Sequence, residues 1–144
     1  MSQVGTLDRP GYLLKRAQLA LRQACDEQLR PLGLSMSQYA VLQALDEQPG
    51  ASSAELARRC FVTRQSLRDV LSGLKTAGLV TVATETSGGR ARPVTLTSSG
   101  EGHLEAAHTV VGEVEERMLT GLTGTQRRQL ADLLWACTEN LGQH

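Results

Sequence analysis

Apolar side chains recur at helical spacing over most of the chain. Between residues 11 and 30 an apolar stripe falls at Leu14, Ala17, Leu21 and Ala24. The most regular stripe lies in residues 64–77, with Leu67, Val70, Leu71 and Leu74 at the i, i+3, i+4, i+7 positions. A further stripe near the C-terminus comprises Leu130, Leu133, Leu134, Cys137 and Leu141. Each stripe predicts an amphipathic helix with one buried face.

Hydroxyl residues indicate where the helices begin. Four of them precede Gln or Glu by three positions, the capping-box spacing: Ser35, Ser52, Ser98 and Thr123. Thr63 is a further candidate N-cap, and Gly78 stands where a left-handed C-terminal cap is expected. Together with the first stripe, these signals predict six helices.

The hydrophobic period changes from helical to alternating after Gly78. Residues 79–85 (LVTVATE) and 93–97 (PVTLT) each alternate apolar with polar or small side chains, which is typical of short strands. The segment between them, TSGGRAR at 86–92, contains two adjacent glycines. We therefore predict a β-hairpin.

The order of the elements predicts a mainly α fold with a small β-hairpin. A short helix, a tight turn, a capped helix and a hairpin make a winged helix-turn-helix. We expect one domain over residues 1–144, with residues 35–97 as the winged DNA-binding lobe. Residues 11–34 and 98–144 then form dimerisation helices, since their apolar stripes find no evident partner within that lobe and a second copy would bury them.

The formal net charge is zero, but its distribution is uneven. Residues 58–92 hold seven Lys/Arg and two Asp/Glu, whereas residues 1–57 hold five and six, and residues 93–144 hold three and seven. A basic centre between neutral and acidic segments focuses attraction for an anion on one region. With the predicted fold this favours double-stranded DNA as the partner. A randomly uneven solvated surface is the alternative.

The second helix of a helix-turn-helix places its N-terminal residues on base edges in the major groove. Here those residues are Arg64, Gln65, Ser66 and Arg68. Arg can donate two hydrogen bonds to guanine and Gln can pair with adenine, while Thr63 and Ser66 suit phosphate oxygens. Asp69 either accepts from cytosine or holds Gln65 at i+4 spacing.

Other functional classes find little support in the sequence. There is no G-x-S-x-G elbow, no phosphate loop ending in Gly-Lys-Ser/Thr and no metal-ligand spacing, so we expect no enzyme, cofactor or metal. No apolar run approaches the roughly 18 residues of a membrane helix, and the N-terminus lacks a signal-peptide layout. We therefore expect a cytoplasmic protein without a membrane partner.

Three segments resemble the MarR family of bacterial transcriptional regulators: SMSQYAVLQAL, SSAELARRCFVTRQSLRDVLSGLKTAGLV and LTSSGEGHL. The resemblance extends from about residue 12 to residue 141. It implies a homodimer with interleaved first and last helices and two winged lobes on a palindromic operator. It also implies repression relieved by a small, often phenolic effector or by thiol oxidation.

Carried onto this sequence, the base-reading helix of the family falls on residues 64–75 and the wing arginine on Arg90 or Arg92. Ser87, Gly88 and Gly89 stand where family wings commonly carry an acidic brace. Phe61 occupies a turn position where glycine is frequent, and we interpret it as part of the core.

An effector pocket is expected where the first, second and fifth helices meet the winged lobe. Its candidate lining residues are Tyr12, Arg16, Tyr39 and His108. The alternative is that Tyr39 belongs to the core and Arg16 to the surface.

The cysteines offer a second route of regulation. Cys60 and Cys137 lie on apolar stripes and are expected to be buried. Cys25 is the redox candidate, although Asp26 and Glu27 beside it disfavour a reactive thiolate. Two alternative functions follow: a thiol-responsive regulator of the same fold, and a winged-helix protein-interaction module without DNA binding, against which the basic centre argues.

Overall fold

The structure, a computed structural model, describes residues 5–82 and 93–142. These residues form six α-helices and a two-stranded sheet, as the sequence predicts. In chain order they are α1 (Pro10–Leu29), α2 (Met36–Glu47), α3 (Ser53–Arg59), α4 (Arg64–Thr76), β1 (Val80–Val82), β2 (Val94–Leu96), α5 (Ser98–Met118) and α6 (Gly124–Asn140). None of the helices in this described part is both long and apolar enough to cross a membrane.

Most predicted caps are confirmed by their hydrogen bonds. Ser35 and Thr123 form complete capping boxes at the starts of α2 and α6. Ser52 caps α3, because its hydroxyl oxygen accepts from the Glu55 backbone N–H at 3.2 Å. Its capping box is incomplete, since the Glu55 carboxylate accepts from the Ser52 hydroxyl and not from the Ser52 backbone N–H. Thr63 caps α4.

The predicted cap of α5 is wrong by one residue. Thr97, not Ser98, is the N-cap, and its hydroxyl oxygen accepts from the Gly100 backbone N–H at 3.0 Å. The same hydroxyl donates to the Gly78 carbonyl at 2.7 Å. Thr97 therefore satisfies backbone groups at the end of the α4 segment and the start of α5 at once, which Ser98 does not do.

The hairpin is antiparallel, and Val80 pairs with Leu96, Thr81 with Thr95 and Val82 with Val94. Val80 and Val94 face the core, whereas the hydroxyls of Thr81 and Thr95 meet at 3.0 Å on the exposed face. The alternation predicted for both strands is thus confirmed. The connecting segment, including Arg90 and Arg92, lies outside the described residues.

The core of the lobe lies where α2 packs against α4, α5 and the sheet. Its fully buried side chains include Leu42, Leu45, Leu56, Leu67, Leu74, Val80 and Val94. The fifth helix adds a buried stripe of Leu104, Ala107, Val111 and Val114. In α4 the buried residues, Leu67 and Leu74, belong to the stripe that the sequence marks as apolar.

The two terminal helices differ from the rest because much of their apolar surface is uncovered. In α1 only Cys25 and Leu29 are buried, and Leu14 is 47% exposed. In α6 no residue is buried, and large apolar side chains are exposed at Leu130, Leu133, Leu134 and Trp135, and at Leu141 directly after the helix. A single chain thus leaves these stripes in contact with water.

Phe61 is not part of the core, contrary to the prediction. Its side chain is 94% exposed and its φ is 56°, a left-handed conformation. The chain leaves α3 through this conformation, since the Val62 N–H donates to the Ala57 carbonyl at 3.1 Å and closes the turn. The same geometry directs the Phe61 side chain outward and gives the half-buried position to Val62.

Candidate functional site

The second helix of the helix-turn-helix presents a polar face at the surface. Leu67 and Leu74 bury one side of α4, and Val70 and Leu71 are half-buried beside them. The predicted base-reading residues are all exposed: Arg64, Gln65, Ser66 and Arg68. Ser72 and Lys75 continue the same exposed side toward the end of the helix. The apolar face of α4 therefore packs firmly in the core, and the polar face is presented to a macromolecular partner.

The N-terminus of α4 is prepared for an anion. The Thr63 hydroxyl oxygen accepts from the Ser66 backbone N–H at 3.0 Å and donates to the Ser66 hydroxyl at 3.0 Å. The first N–H groups of a helix have no acceptor within it. Since Thr63 satisfies that of Ser66, those of Arg64 and Gln65 are the donors left to meet a phosphate oxygen.

Asp69 contacts Gln65, one of the two roles expected for it. Gln65 Nε2 donates to Asp69 Oδ1 at 3.4 Å, one helical turn apart. This long hydrogen bond restricts the Gln65 amide to one side of the helix. Gln65 directly follows Arg64 and Asp69 directly follows Arg68 in sequence, so a carboxylate lies beside the arginines of this helix.

Ion pairs neutralise some of the charges that were counted in the sequence. Among residues 5–82 and 93–142 there are two, Arg59 with Glu47 and Arg127 with Glu116. Arg59 of α3 is thus compensated by a carboxylate of α2, which no local pattern in the sequence indicates. Arg64, Arg68 and Lys75 have no carboxylate oxygen within 4.0 Å in that part of the chain. Their charges are available to an anionic partner.

The described part of the wing consists of its two strands. Its strands β1 and β2 are anchored to the core, and they flank the segment that contains Arg90 and Arg92. Both arginines lie outside the described residues, so their DNA contacts remain a prediction.

The four residues predicted to line an effector pocket form two separate pairs. The Tyr39 hydroxyl and His108 Nδ1 are 2.7 Å apart, and their rings meet edge to face with centroids 5.4 Å apart. Arg16 Nη1 donates to the Tyr12 hydroxyl at 3.5 Å, and the guanidinium carbon lies 5.8 Å from the ring centroid. Tyr39 is buried and Arg16 is exposed, as the alternative interpretation expected. Burial, with a smaller contribution from Glu115, raises the pKa of the Tyr39 hydroxyl.

Two clefts open elsewhere on the chain. One, of about 290 Å³, lies between α1, α2 and the turn before α4, with Leu21, Arg22, Met36, Val41, Val62 and Val70 among its walls. The other, of about 240 Å³, runs between α1 and α5 along Ala17, Ala20, Ala24, Val114 and Met118. Neither is lined by Tyr12, Arg16, Tyr39 or His108. The first cleft was not predicted from the sequence, because the walls of the cleft come from segments that are distant along the chain.

The three cysteines are free and differ in exposure. Cys25 is fully buried, and burial first, then Glu115 and Asp26, raises the pKa of its thiol, which disfavours the reactive thiolate. Cys60 is half-buried, and burial raises its pKa as well. Cys137 is exposed, so its predicted burial is wrong for the single chain, because nothing within the chain covers its stripe. In the described ranges no three His, Cys, Asp or Glu side chains cluster as metal ligands would.

Known proteins resemble this chain in sequence and in fold. Residues 32–91 match a model of the MarR family. The HTH-type transcriptional repressor Rv2887 of Mycobacterium tuberculosis is 40% identical over 124 residues, which cover 86% of this chain and 89% of the relative. The crystal structure of Rv2887 complexed with DNA superposes with a TM-score of 0.74 at 37% identity, covering 94% of this chain and 98% of that one. The structure of Rv2887 with salicylic acid gives 0.73 at 40% identity, covering 93% and 96%.

Proposed function

This chain belongs to the MarR family of transcriptional regulators, and we propose that it is a repressor that binds a palindromic operator as a homodimer and responds to a small aromatic effector. The observation that carries the proposal is the face of α4, where two arginines free of ion pairs within the described residues flank a positioned glutamine. Such a helix matches the dimensions and chemistry of the DNA major groove. The Rv2887 structure with DNA supports this reading of the fold.

We divide the proposed DNA contacts into those to base edges and those to the DNA backbone, according to the chemistry of each side chain. Arg64, Gln65 and Arg68 would read base edges, because Arg pairs with guanine and Gln with adenine. Thr63, Ser66 and the N–H groups of the first turn would hold phosphate oxygens and set the register of the helix. Arg90 and Arg92 of the wing would add cations at the backbone or in the minor groove. Residues 35–97 are the DNA-binding lobe in this assignment.

The proposal of a homodimer rests on the uncovered stripes of the terminal helices. Leu130, Leu134 and Leu141 recur on one side of α6, where no residue is buried by the chain itself. A row of exposed large apolar side chains on a folded chain is typical of an interaction face. A second copy would bring the same stripe, and two-fold symmetry would then present two α4 helices to two half-sites. Residues 11–34 and 98–144 are the dimerisation segments in this assignment.

The proposal of an effector rests on the relative and on the architecture. Rv2887 has been crystallised with salicylic acid and with p-aminosalicylic acid. In this chain, one cleft lies where α1 meets the helix-turn-helix, so a molecule bound there would contact both an outer helix and the DNA-binding lobe. A second cleft lies between the outer helices α1 and α5. We place the protein in the cytoplasm, where its operator would be.

Selection of bound duplexes from a random DNA pool tests the function directly. The enriched sequence should be an inverted repeat whose half-sites are one helical turn apart, about 10 base pairs between centres. Binding should weaken steeply with salt, with a logarithmic slope approaching about −0.9 per phosphate contact. A duplex with one half-site scrambled is the matched control. Failure to enrich any sequence, with affinity indifferent to salt, would favour the protein-interaction module instead.

A further inference from the structure

A carboxylate, that of Asp69, lies on the exposed face of α4 among the residues proposed to meet DNA. Within residues 5–82 and 93–142 no cation comes within 4.0 Å of it, although the same helix carries Arg64, Arg68 and Lys75. These cations stand five, one and six positions away, whereas side chains on a helix meet at separations of three or four. Asp69 therefore does not serve α4 as a partner in an ion pair.

The carboxylate contacts the Gln65 amide instead. Gln65 Nε2 donates to Asp69 Oδ1 at 3.4 Å, across one turn of the helix. Because a carboxylate only accepts hydrogen bonds, the nitrogen of the amide and not its oxygen must face Asp69. One of the two Nε2 hydrogens is used in this contact, so the amide retains one hydrogen and the Oε1 acceptor for another partner. Asp69 thus fixes the direction in which the Gln65 amide presents its donor and its acceptor.

The remaining donor and acceptor of Gln65 match one purine better than the other. In the major groove adenine presents the N7 acceptor and the N6–H donor, whereas guanine presents two acceptors, N7 and O6. The fixed amide satisfies both groups of adenine. Against guanine, Oε1 of the amide would face O6, and two acceptors without a hydrogen between them remain unsatisfied. A glutamine released from Asp69 is free to turn its amide over and direct Nε2 toward O6, so it would discriminate less between the two purines.

We propose that Asp69 is a positioning residue that makes Gln65 select adenine over guanine in each half-site of the operator. This inference rests on the proposed DNA-binding function and specifies one base that the protein reads. Asp69 acts through Gln65 and not by touching the base. Its negative charge also repels the DNA phosphates, so the carboxylate lowers the affinity for every duplex while it raises the selectivity for one.

The first measurement identifies the base that Gln65 reads. DNA selection with the full-length wild type and with Gln65→Ala should give operators that differ at one position in each half-site. At that position the wild type should enrich adenine and the variant should show no preference. Fluorescence anisotropy then compares the operator with a duplex in which guanine replaces this adenine in one half-site. The wild type should prefer adenine by roughly 5–150-fold, the discrimination of one bidentate pair.

Substitutions at Asp69 separate the positioning of Gln65 from the size of the side chain. Asp69→Asn keeps the shape, but its amide donates as well as accepts, so both orientations of the Gln65 amide become possible. The adenine preference should therefore fall at least about fivefold, the lower limit for one bidentate pair. Asp69→Glu, which keeps a group that only accepts, should retain part of the preference. Glu105→Gln, the control, removes a carboxylate from the exposed surface of α5 and should leave the preference unchanged. Melting curves verify that each variant is folded.

A double-mutant cycle determines whether Asp69 acts through Gln65. In the Gln65→Ala background, Asp69→Asn should have no further effect on the ratio of adenine to guanine affinities. A further effect there, or a preference for cytosine that depends on Asp69 alone, would show that Asp69 contacts a base itself and would overturn the inference.

The other outcomes separate this inference from the function on which it rests. The inference is overturned, and the DNA-binding regulator stands, if the wild type selects an operator but Asp69→Asn keeps the full adenine preference. The same holds if Gln65 reads a base other than adenine or none, or if Glu105→Gln loses the preference as Asp69→Asn does. A wild-type protein that selects no DNA overturns the proposed function, and the inference with it.

Discussion

Tyr39 of α2 and His108 of α5 are joined by a 2.7 Å hydrogen bond and an edge-to-face contact between their rings. They are 69 residues apart in sequence, and their contact fastens the helix at the centre of the winged lobe to the long helix that leaves it. Tyr39 is buried and His108 is exposed, so the hydrogen bond lies at the edge of the core.

Tyr39→Phe should destabilise the protein by about 0.5–1.5 kcal/mol, the usual net contribution of one hydrogen bond. The ring contacts remain, so the loss reports the hydroxyl alone. Urea unfolding measures it. Tyr12→Phe is the matched control, because the Tyr12 hydroxyl accepts only a 3.5 Å hydrogen bond from the exposed Arg16. The free energy of unfolding of this variant should equal that of the wild type. Equal losses in the two variants would show that the contact with His108 contributes nothing.

Phe61→Gly should raise the stability of the protein or leave it unchanged, although it removes a large apolar side chain. The left-handed φ of Phe61 costs about 1–2 kcal/mol for a residue with a Cβ, and the 94% exposed ring offers little burial to lose. Greater freedom of glycine in the unfolded chain offsets about 0.5–1 kcal/mol of that gain. Phe61→Ala, which removes the ring but keeps the strain, is the control. A glycine variant less stable than the alanine variant by urea unfolding would rule out strain at this turn.

Arg64→Ala and Arg68→Ala should reduce discrimination between operator and mutant operator by roughly 1–3 kcal/mol each, because a base-specific pair is lost. Arg90→Ala and Arg92→Ala should instead weaken binding to all duplexes evenly, since wing cations mainly meet backbone or the minor groove. Fluorescence anisotropy on a matched set of duplexes measures both effects. Arg128→Ala, on the exposed surface of α6, is the charge-matched control. Operator affinities equal across all five variants and the wild type would overturn the assignment of α4.

Leu133→Asp should shift the protein from dimer to monomer, because it puts a charge into the apolar stripe of α6. Light scattering at micromolar concentration measures the mass. Arg128→Asp places the same charge on the opposite side of the helix by its spacing and should leave the mass unchanged. A wild-type protein that is already monomeric would contradict the homodimer outright.

The thiols should differ in reactivity in the order of their exposure. In the monomeric Leu133→Asp variant, Cys137 should react fastest with a thiol reagent at neutral pH, because the single chain leaves it exposed. Cys25 should be protected until the chain opens, because it is buried and its pKa is raised. Mass spectrometry of timed, quenched samples measures the order. Fast labelling of Cys25 in the folded protein would restore it as a redox candidate.

The same pKa shifts predict the direction of a pH effect. A thiol or phenol whose pKa is raised on folding holds its proton more tightly in the native state than in the unfolded one. The stabilisation is complete below the ordinary thiol pKa of about 8.5 and is lost as pH rises through the raised values of Cys25, Cys60 and Tyr39. The free energy of unfolding should therefore fall above about pH 8.5. Stability that increases in that range would show that these groups do not control it.

Local features of the chain were predictable because their causes are local. The alternating valines predicted β1 and β2, and the Thr63 hydroxyl predicted the start of α4, since a cap and a strand pattern depend on neighbours a few positions away. The prediction placed Phe61 in the core, which is wrong because the hydrophobicity of a residue carries no information on its backbone φ. The turn out of α3 required a left-handed residue, and that requirement turned the ring toward solvent.

By itself, the sequence determined the helices, the hairpin, the exposed basic face of α4 and the apolar stripes that a single chain leaves uncovered. Only the tertiary structure decided which side chains meet across the chain: Arg59 with Glu47, Tyr39 with His108, and Thr97 with the Gly78 carbonyl. It also revealed the cleft beside Arg22, whose walls come from three segments. Periodicity records which face of an element is apolar, but the partner of that face depends on packing between segments distant in sequence, which a local pattern does not encode.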